Sequence, residues 1–360
     1  MGTFSLDSLI RPELNELSAY VPHPGDFEVR LDANEAPDFW SKQARERLGQ
    51  ATNEVLLSRY PDATTVRLRE SLARRLGARA EELVLGTGSD EIIALLLSAL
   101  SRPRANSRNP IIVTLTPTFV MYRMSARARG FQVIEVPLDE SWQLDVKAVR
   151  RAVEALEPSM VFIATPNNPT GNLMNQTAIK EIVEAAPQSL VLIDEAYGAY
   201  ARVSHADWLT RYPNVALLGT LSKIGLAALR VGWLRGSTAL VDAIDKIRQP
   251  YNLPTLSQHL ASVALNELGE EIDRAVNEVI SERERVSTEL TGLGMVVTPS
   301  AANFVWVQTQ QPAVEVFEQL KSKSILVRSF HQRGGRLARQ LRITIGTREE
   351  NDRLLEALRT

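Results

Sequence analysis

MVFIATPNNPTG, residues 160–171, is a run of five apolar residues that stops on seven residues of turn chemistry. Five apolar positions without polar interruption suit a strand buried on both faces. Asn, Pro and Gly each favour turns for a different physical reason, and so long a succession of such residues exceeds what a simple connection requires. The same design recurs on both sides of this stretch. Short apolar runs lie at 83–85, 111–115, 132–136, 190–193, 215–218 and 231–234, each flanked by polar or turn residues. Helical patterns at 66–76, 145–156 and 176–186 fall between them. This alternation predicts an α/β fold, a mainly parallel seven-stranded sheet covered by helices. Ligands of such folds sit beyond the carboxyl ends of the strands.

After Pro250 the pattern changes. Residues 260–290 read as one long charged helix, and apolar runs at 304–307 and 341–345 then flank a helix at 314–323. These predict a smaller C-terminal α/β domain. The expected division is an N-terminal arm and segment packing on the small domain (1–50), a large domain (51–285) and the small domain (286–360). Hydrophobic content of 44%, charged content of 23% and a formal net charge of −2 are those of an ordinary soluble chain with no bulk attraction to nucleic acid. With no cysteine, disulfides, thiolate metal sites and cysteine nucleophiles are excluded. The histidines at 23, 205, 259 and 331 have no metal-ligand spacing, so no metal is expected. The first residues lack the apolar run of a leader, and no stretch reaches the roughly 18 apolar residues of a membrane span. A cytoplasmic protein is the expectation. SRPRANSRNP (101–110) reads as a solvated loop.

Polar clusters gather at the strand ends. GTGSDE (86–91) opens an apolar helix. Alone it reads as a helix capped by Ser89; its other reading is a phosphate cradle of backbone N–H groups. It is neither a dinucleotide fingerprint nor a P-loop. DEAY (194–197) closes the run LVLI, and Ser222-Lys223 follow VALLG. Singly these are a strand-end cap and a surface lysine. Together they meet one demanding specification. An aldehyde cofactor needs an amine, which lysine supplies through an imine. A pyridine ring used as an electron sink needs a carboxylate at its nitrogen. A phosphate needs helix-terminal amides, hydroxyls and an arginine. Lys223, Asp194, Arg230 and the Ser89 turn supply all of these.

A colinear series spans nearly the whole chain: LDANEAP (31–37), RYPD (59–62), GTGSDE, PTFVMY (117–122), TPNNPTG, DEAY, TLSKIGLAALRVG (220–232), ANF (302–304) and LRITIGTREEN (341–351). It resembles the class I/II aminotransferases of PLP fold type I. LDANE, RYPD and RITIGTREEN tilt the resemblance toward the histidinol-phosphate branch. The resemblance implies pyridoxal 5'-phosphate as cofactor and Lys223 as the lysine that holds it as a Schiff base and moves the substrate proton. It implies Asp194 as partner of the ring nitrogen, and Asn168 and Tyr197 as partners of the ring hydroxyl. Ser89, Asp90, Thr220, Ser222 and Arg230 would surround the phosphate, and Phe119 would stack on the ring. Tyr60 would reach the site of a neighbouring copy in a homodimer. Arg342 resembles the clamp on the substrate α-carboxylate, and Arg328 the position that meets a substrate phosphate. Tyr20 would close over the same substrate.

The implied reaction is transamination between histidinol phosphate and 2-oxoglutarate in histidine biosynthesis, with small amino acids and 2-oxo acids as substrates and no nucleic acid or membrane as partner. Alternatives are an aminotransferase for aromatic or other pathway-specific substrates, and a decarboxylase of a phosphorylated amino acid. A transcription regulator on this fold would carry a DNA-binding domain ahead of LDANE, and the residues before position 31 leave no room for one. The sequence departs from the family pattern twice. Seven positions, rather than the common eight, separate Lys223 from Arg230, so that loop must be tighter. Phe119 stands where tyrosine is common, which keeps a stacking ring and loses a hydroxyl.

Overall fold

The structure is a computed structural model that describes residues 4, 6, 9–19, 23–104 and 107–359. Twelve strands run in chain order through these residues: β1 Val29–Leu31, β2 Leu83–Thr87, β3 Ile111–Thr116, β4 Gln132–Pro137, β5 Met160–Ala164, β6 Leu190–Asp194, β7 Val215–Thr220, β8 Val231–Arg235, β9 Val296–Thr298, β10 Phe304–Gln308, β11 Ile325–Ser329 and β12 Gln340–Thr344. Seven form one sheet in the order β2-β8-β7-β6-β5-β3-β4. All its pairings are parallel except those of β8, which runs antiparallel to both β2 and β7. The seven apolar runs read from sequence are these seven strands.

The residues of this sheet alternate between two cores, as the period of two in a strand demands. Val161, Ile163, Val191, Ile193, Val215 and Leu217 enter the core on one face. Phe162, Leu192, Ala216 and Leu218 enter the core on the other. Burial on both faces is why the strands appear in sequence as unbroken apolar runs. Two of the intervening helices start on side-chain caps: Asp145 accepts from the Ala148 N–H at 3.0 Å and Asn175 from the Ala178 N–H at 3.1 Å.

The other five strands form a second sheet, β1-β11-β12-β10-β9. Its inner residues share a third core with the helices Val66–Leu76, Thr255–Glu267 and Gly269–Gly292. β1 joins it by pairing in parallel with β11. The single helix expected over 260–290 is in fact two, divided at Leu268, whose φ of −119° and ψ of 18° break the helical path. The break frees the first turn of the second helix, where Glu271 accepts both the N–H and the hydroxyl of Ser41. Among the described residues no helix is long and apolar enough to cross a membrane.

Candidate active site

The carboxyl ends of β5, β6 and β7 open into a cavity of about 380 Å³. Eleven of the residues singled out from sequence line it: Ser89, Asp90, Phe119, Asn168, Asp194, Tyr197, Thr220, Ser222, Lys223, Arg230 and Arg342.

Lys223 lies in an irregular turn that follows β7 and runs through Ser222–Leu226. The turn departs from helical geometry at Ile224 and at Gly225, whose φ is +87°. A side chain at Gly225 would meet the ring of Phe39 at 2.4 Å, so both backbone freedom and space require glycine there. The Tyr200 hydroxyl donates to the Lys223 carbonyl at 2.6 Å and steadies the turn. Burial pushes the Lys223 ammonium down to about 8, and the Arg342 charge adds to the same effect. A buried amine with this bias is a ready nucleophile or base near neutral pH.

Asp194 ends β6 and is buried. Its Oδ2 accepts from the Tyr122 hydroxyl at 2.5 Å and its Oδ1 from the Ala196 N–H at 2.9 Å. Burial raises its carboxyl to about 6, against the lowering effect of those two hydrogen bonds. Asn168 and Tyr197 sit beside it. Asn168 accepts from Arg342 Nη1 at 2.7 Å, and Tyr197 accepts from Asn34 Nδ2 at 2.8 Å. Burial holds the Tyr197 phenol up at about 12, so it stays protonated. Arg342, in β12, also donates to the Asp32 carbonyl.

At the other end of the cavity β2 runs straight into the helix Gly88–Ala99. Thr87 is the residue at its cap position, and Ser89 lies inside the first turn with its side chain facing the cavity, which corrects the reading of Ser89 as the cap. The helix N-terminus, the Ser89, Thr220 and Ser222 hydroxyls and Arg230 converge there. The Thr220 and Ser222 oxygens are 3.0 Å apart, and Arg230 Nη1 donates to Ser222 at 3.2 Å. Arg230, at the end of the shorter loop from Lys223, takes a left-handed φ of 53°. Gly232 lets β8 pass beneath the helix start, since a Cβ there would lie 2.4 Å from the Gly88 carbonyl carbon and the Ser89 nitrogen. Asp90 Oδ1 is buried without a hydrogen-bond partner among the described residues. Such a donor-rich end binds an anion, while the carboxylate at the opposite end suits a protonated ring nitrogen.

Two expected residues lie outside the cavity, and a third is not among the described residues. Tyr60 is 81% exposed and stacks on Tyr251 at 4.7 Å, outside the cavity. Arg328 is half-buried in β11 and does not line the cavity, although its register partner across the strands is Arg342. Tyr20 is outside the described residues. Sequence reasoning gave no role to Asn34 or Tyr122. Asn34 sat in plain view in LDANE, and its left-handed φ of 56° lets it bond Thr344 and Tyr197 together. Tyr122 ends the PTFVMY stretch, but an aromatic in a helix ordinarily means core, and its hydroxyl's partner lies 72 positions away.

Residues 28–358 match the family model described as "Aminotransferase class I and II". The chain is 39% identical over 358 residues to a histidinol-phosphate aminotransferase of Methylibium petroleiphilum, covering 98% of this chain and 95% of that one. It is 37% identical to histidinol-phosphate aminotransferase 2 of Nitrosococcus oceani, over 97% of this chain and 96% of the relative. Among solved structures, the histidinol-phosphate aminotransferase of Sinorhizobium meliloti in complex with pyridoxal-5'-phosphate superposes with a TM-score of 0.85 at 24% identity, covering 99% and 98% of the two chains. At that identity the likeness speaks for the fold.

Proposed function

This chain belongs to the class I and II aminotransferases, and from that membership we propose that it exchanges an amino group between histidinol phosphate and 2-oxoglutarate with pyridoxal 5'-phosphate as cofactor. The observation that carries the reading is the convergence of a buried amine, a buried carboxylate and an anion cradle in one cavity. The residues fit the cofactor: the cradle matches a phosphate, Asp194 a ring nitrogen, and Phe119 a flat ring. When bound, pyridoxal phosphate supplies an aldehyde that takes up the amino group and a ring that draws electrons away from the substrate Cα.

Lys223 Nζ is the anchoring amine, and the same atom takes the proton from the substrate Cα. Its lowered proton affinity lets it work as a base near neutral pH. Asp194 keeps the ring nitrogen protonated, and Asn168 and Tyr197 orient the ring through its hydroxyl. Arg342 draws on Asn168, so the substrate anion and the ring are positioned by one linked set of hydrogen bonds.

The substrate assignment follows the names of the relatives and gains support from the small sheet. Arg328 and Arg342 stand directly opposite in the β11–β12 ladder, which puts their side chains on one face. Glutamate presents a carboxylate to such a pair. Histidinol phosphate has no carboxylate and presents its phosphate. Tyr20 would cover this substrate. The same reading makes the protein a homodimer in which Tyr60 completes the neighbouring site. It divides the chain into arm (1–50), large domain (51–285) and small domain (286–360), and it places the enzyme in the cytoplasm, where a charged phosphate ester would be retained.

The test is to mix the loaded enzyme with amino donors singly and follow the cofactor's yellow colour. Histidinol phosphate and glutamate should each discharge it. Colour loss with glutamate and an aromatic amino acid, and none with histidinol phosphate, would move the assignment to an aromatic aminotransferase.

A further inference from the structure

Tyr122 is fully buried in the helix Val120–Arg127, directly after Phe119 has entered the cavity. Its ring is held from two sides, stacked on Phe162 at 4.8 Å and edge-on to Phe119 at 5.5 Å. Its one polar atom is committed to Asp194 Oδ2 at 2.5 Å. Asp194 needs such a donor. It is buried, and its charged neighbours of consequence, Asp90 and Glu195, are both negative. Burial and like charge therefore both oppose the ionised form, and two hydrogen bonds oppose them in turn. One comes from the Ala196 backbone and exists in any sequence. The other depends on the side chain at position 122.

We propose that Tyr122 is a positioning residue for the reaction: its hydroxyl keeps Asp194 ionised and aimed into the cavity. The Tyr122 phenol is suited to the task because burial and the adjacent Asp194 hold its own proton well above the ordinary phenol range, so it remains a donor at any working pH. Tyr197, the other phenol near Asp194, directs its hydroxyl to Asn34 instead. One short helix and the residue that precedes it thus deliver the donor that conditions the carboxylate and the ring placed to stack on the cofactor.

The inference rests on the reading of Asp194 as partner of the ring nitrogen, and its test separates the two. In full-length protein freed of cofactor, carbon-13 labelled aspartate reports the Asp194 titration, with the signal assigned by its loss in Asp194→Asn. Tyr122→Phe removes only a hydroxyl. It should raise the Asp194 midpoint by about one to two pH units, the equivalent of one hydrogen bond to a charged group. Tyr122→His, which keeps a donor, should recover part of that rise, and Phe162→Leu, which loosens the same ring and keeps the hydroxyl, should leave the midpoint in place. An unmoved midpoint in Tyr122→Phe, or a similar rise in Phe162→Leu, overturns the role of Tyr122. In loaded enzyme the acid limb of kcat should move up with the midpoint while KM changes little. A moved midpoint with an unchanged acid limb would keep Tyr122 as the controller of Asp194 and contradict the role of Asp194 itself.

Discussion

Lys223 gives the sharpest expectations at the scale of the residue. Lys223→Ala should lose the yellow imine band, which borohydride bleaches as it fixes the cofactor to the lysine, and turnover should fall by at least on the order of 10²–10⁴-fold, the range of a lost acid–base group. Near-normal transamination by that variant would refute the assignment. Asp194→Ala should keep the lysine yet lose most activity, because the ring nitrogen would have no carboxylate. The pH dependence of cofactor loading follows from burial. Burial disfavours the charged ammonium, so the amine is protonated below about 8 and free above it. The rate at which the cofactor-free protein takes up pyridoxal phosphate should therefore climb toward pH 8 and level off beyond it. A rate still climbing steeply past pH 9 would indicate an ordinary exposed lysine. Lys223, Asp194 and Arg230 were legible in sequence only together, because the combination meets the demands of one cofactor, and Asn168 through the resemblance that the TPNNPTG stretch carries. Asn34 and Tyr122 were not. Their work is to hold other residues, and that depends on contacts spanning 163 and 72 positions.

At the scale of the element, the strands of the large sheet announce themselves because both faces are buried. Three strands of the small sheet do not. β1 and β9 are only three residues long, β11 has an apolar run no longer than that at 83–85, and β1 exists only through pairing with residues 325–327, far along the chain. At the junction the one sequence signal is Gly269, which is easily passed over because helical patterning continues on both sides of it. Two predictions concern elements. Gly232→Ala should push β8 against the start of the helix Gly88–Ala99. Overpacking of this kind costs roughly 1–3 kcal/mol, and denaturant unfolding should show it together with weaker phosphate binding. The pairing of β11 with β12 supports the second. Arg328→Ala should remove a charge-assisted contact worth roughly 1.5–3 kcal/mol, about ten- to a hundredfold in single-turnover rate with histidinol phosphate. The loss should be smaller with glutamate, whereas Arg342→Ala should impair both donors. Equal losses for Arg328→Ala with the two donors would place that residue outside substrate recognition.

At the scale of the whole molecule, exposed Tyr60 and Tyr251 lie with exposed Leu56 and Leu57 nearby in sequence, outside their own cavity. If a second copy receives Tyr60, a Tyr60 variant mixed with Lys223→Ala should form heterodimers with one intact site, and activity should return on subunit exchange. Inactive mixtures with exchange demonstrated would mean that each chain builds its site alone. The central claim is that this molecule moves an amino group from histidinol phosphate through Lys223. It is tested most directly by a single turnover of loaded enzyme with histidinol phosphate and no oxo-acid acceptor, followed by addition of 2-oxoglutarate. The account predicts one equivalent of imidazole-acetol phosphate per site, loss of the yellow colour, and then return of the colour with one equivalent of glutamate. Unchanged histidinol phosphate and undiminished colour, in enzyme that glutamate does discharge, would contradict it.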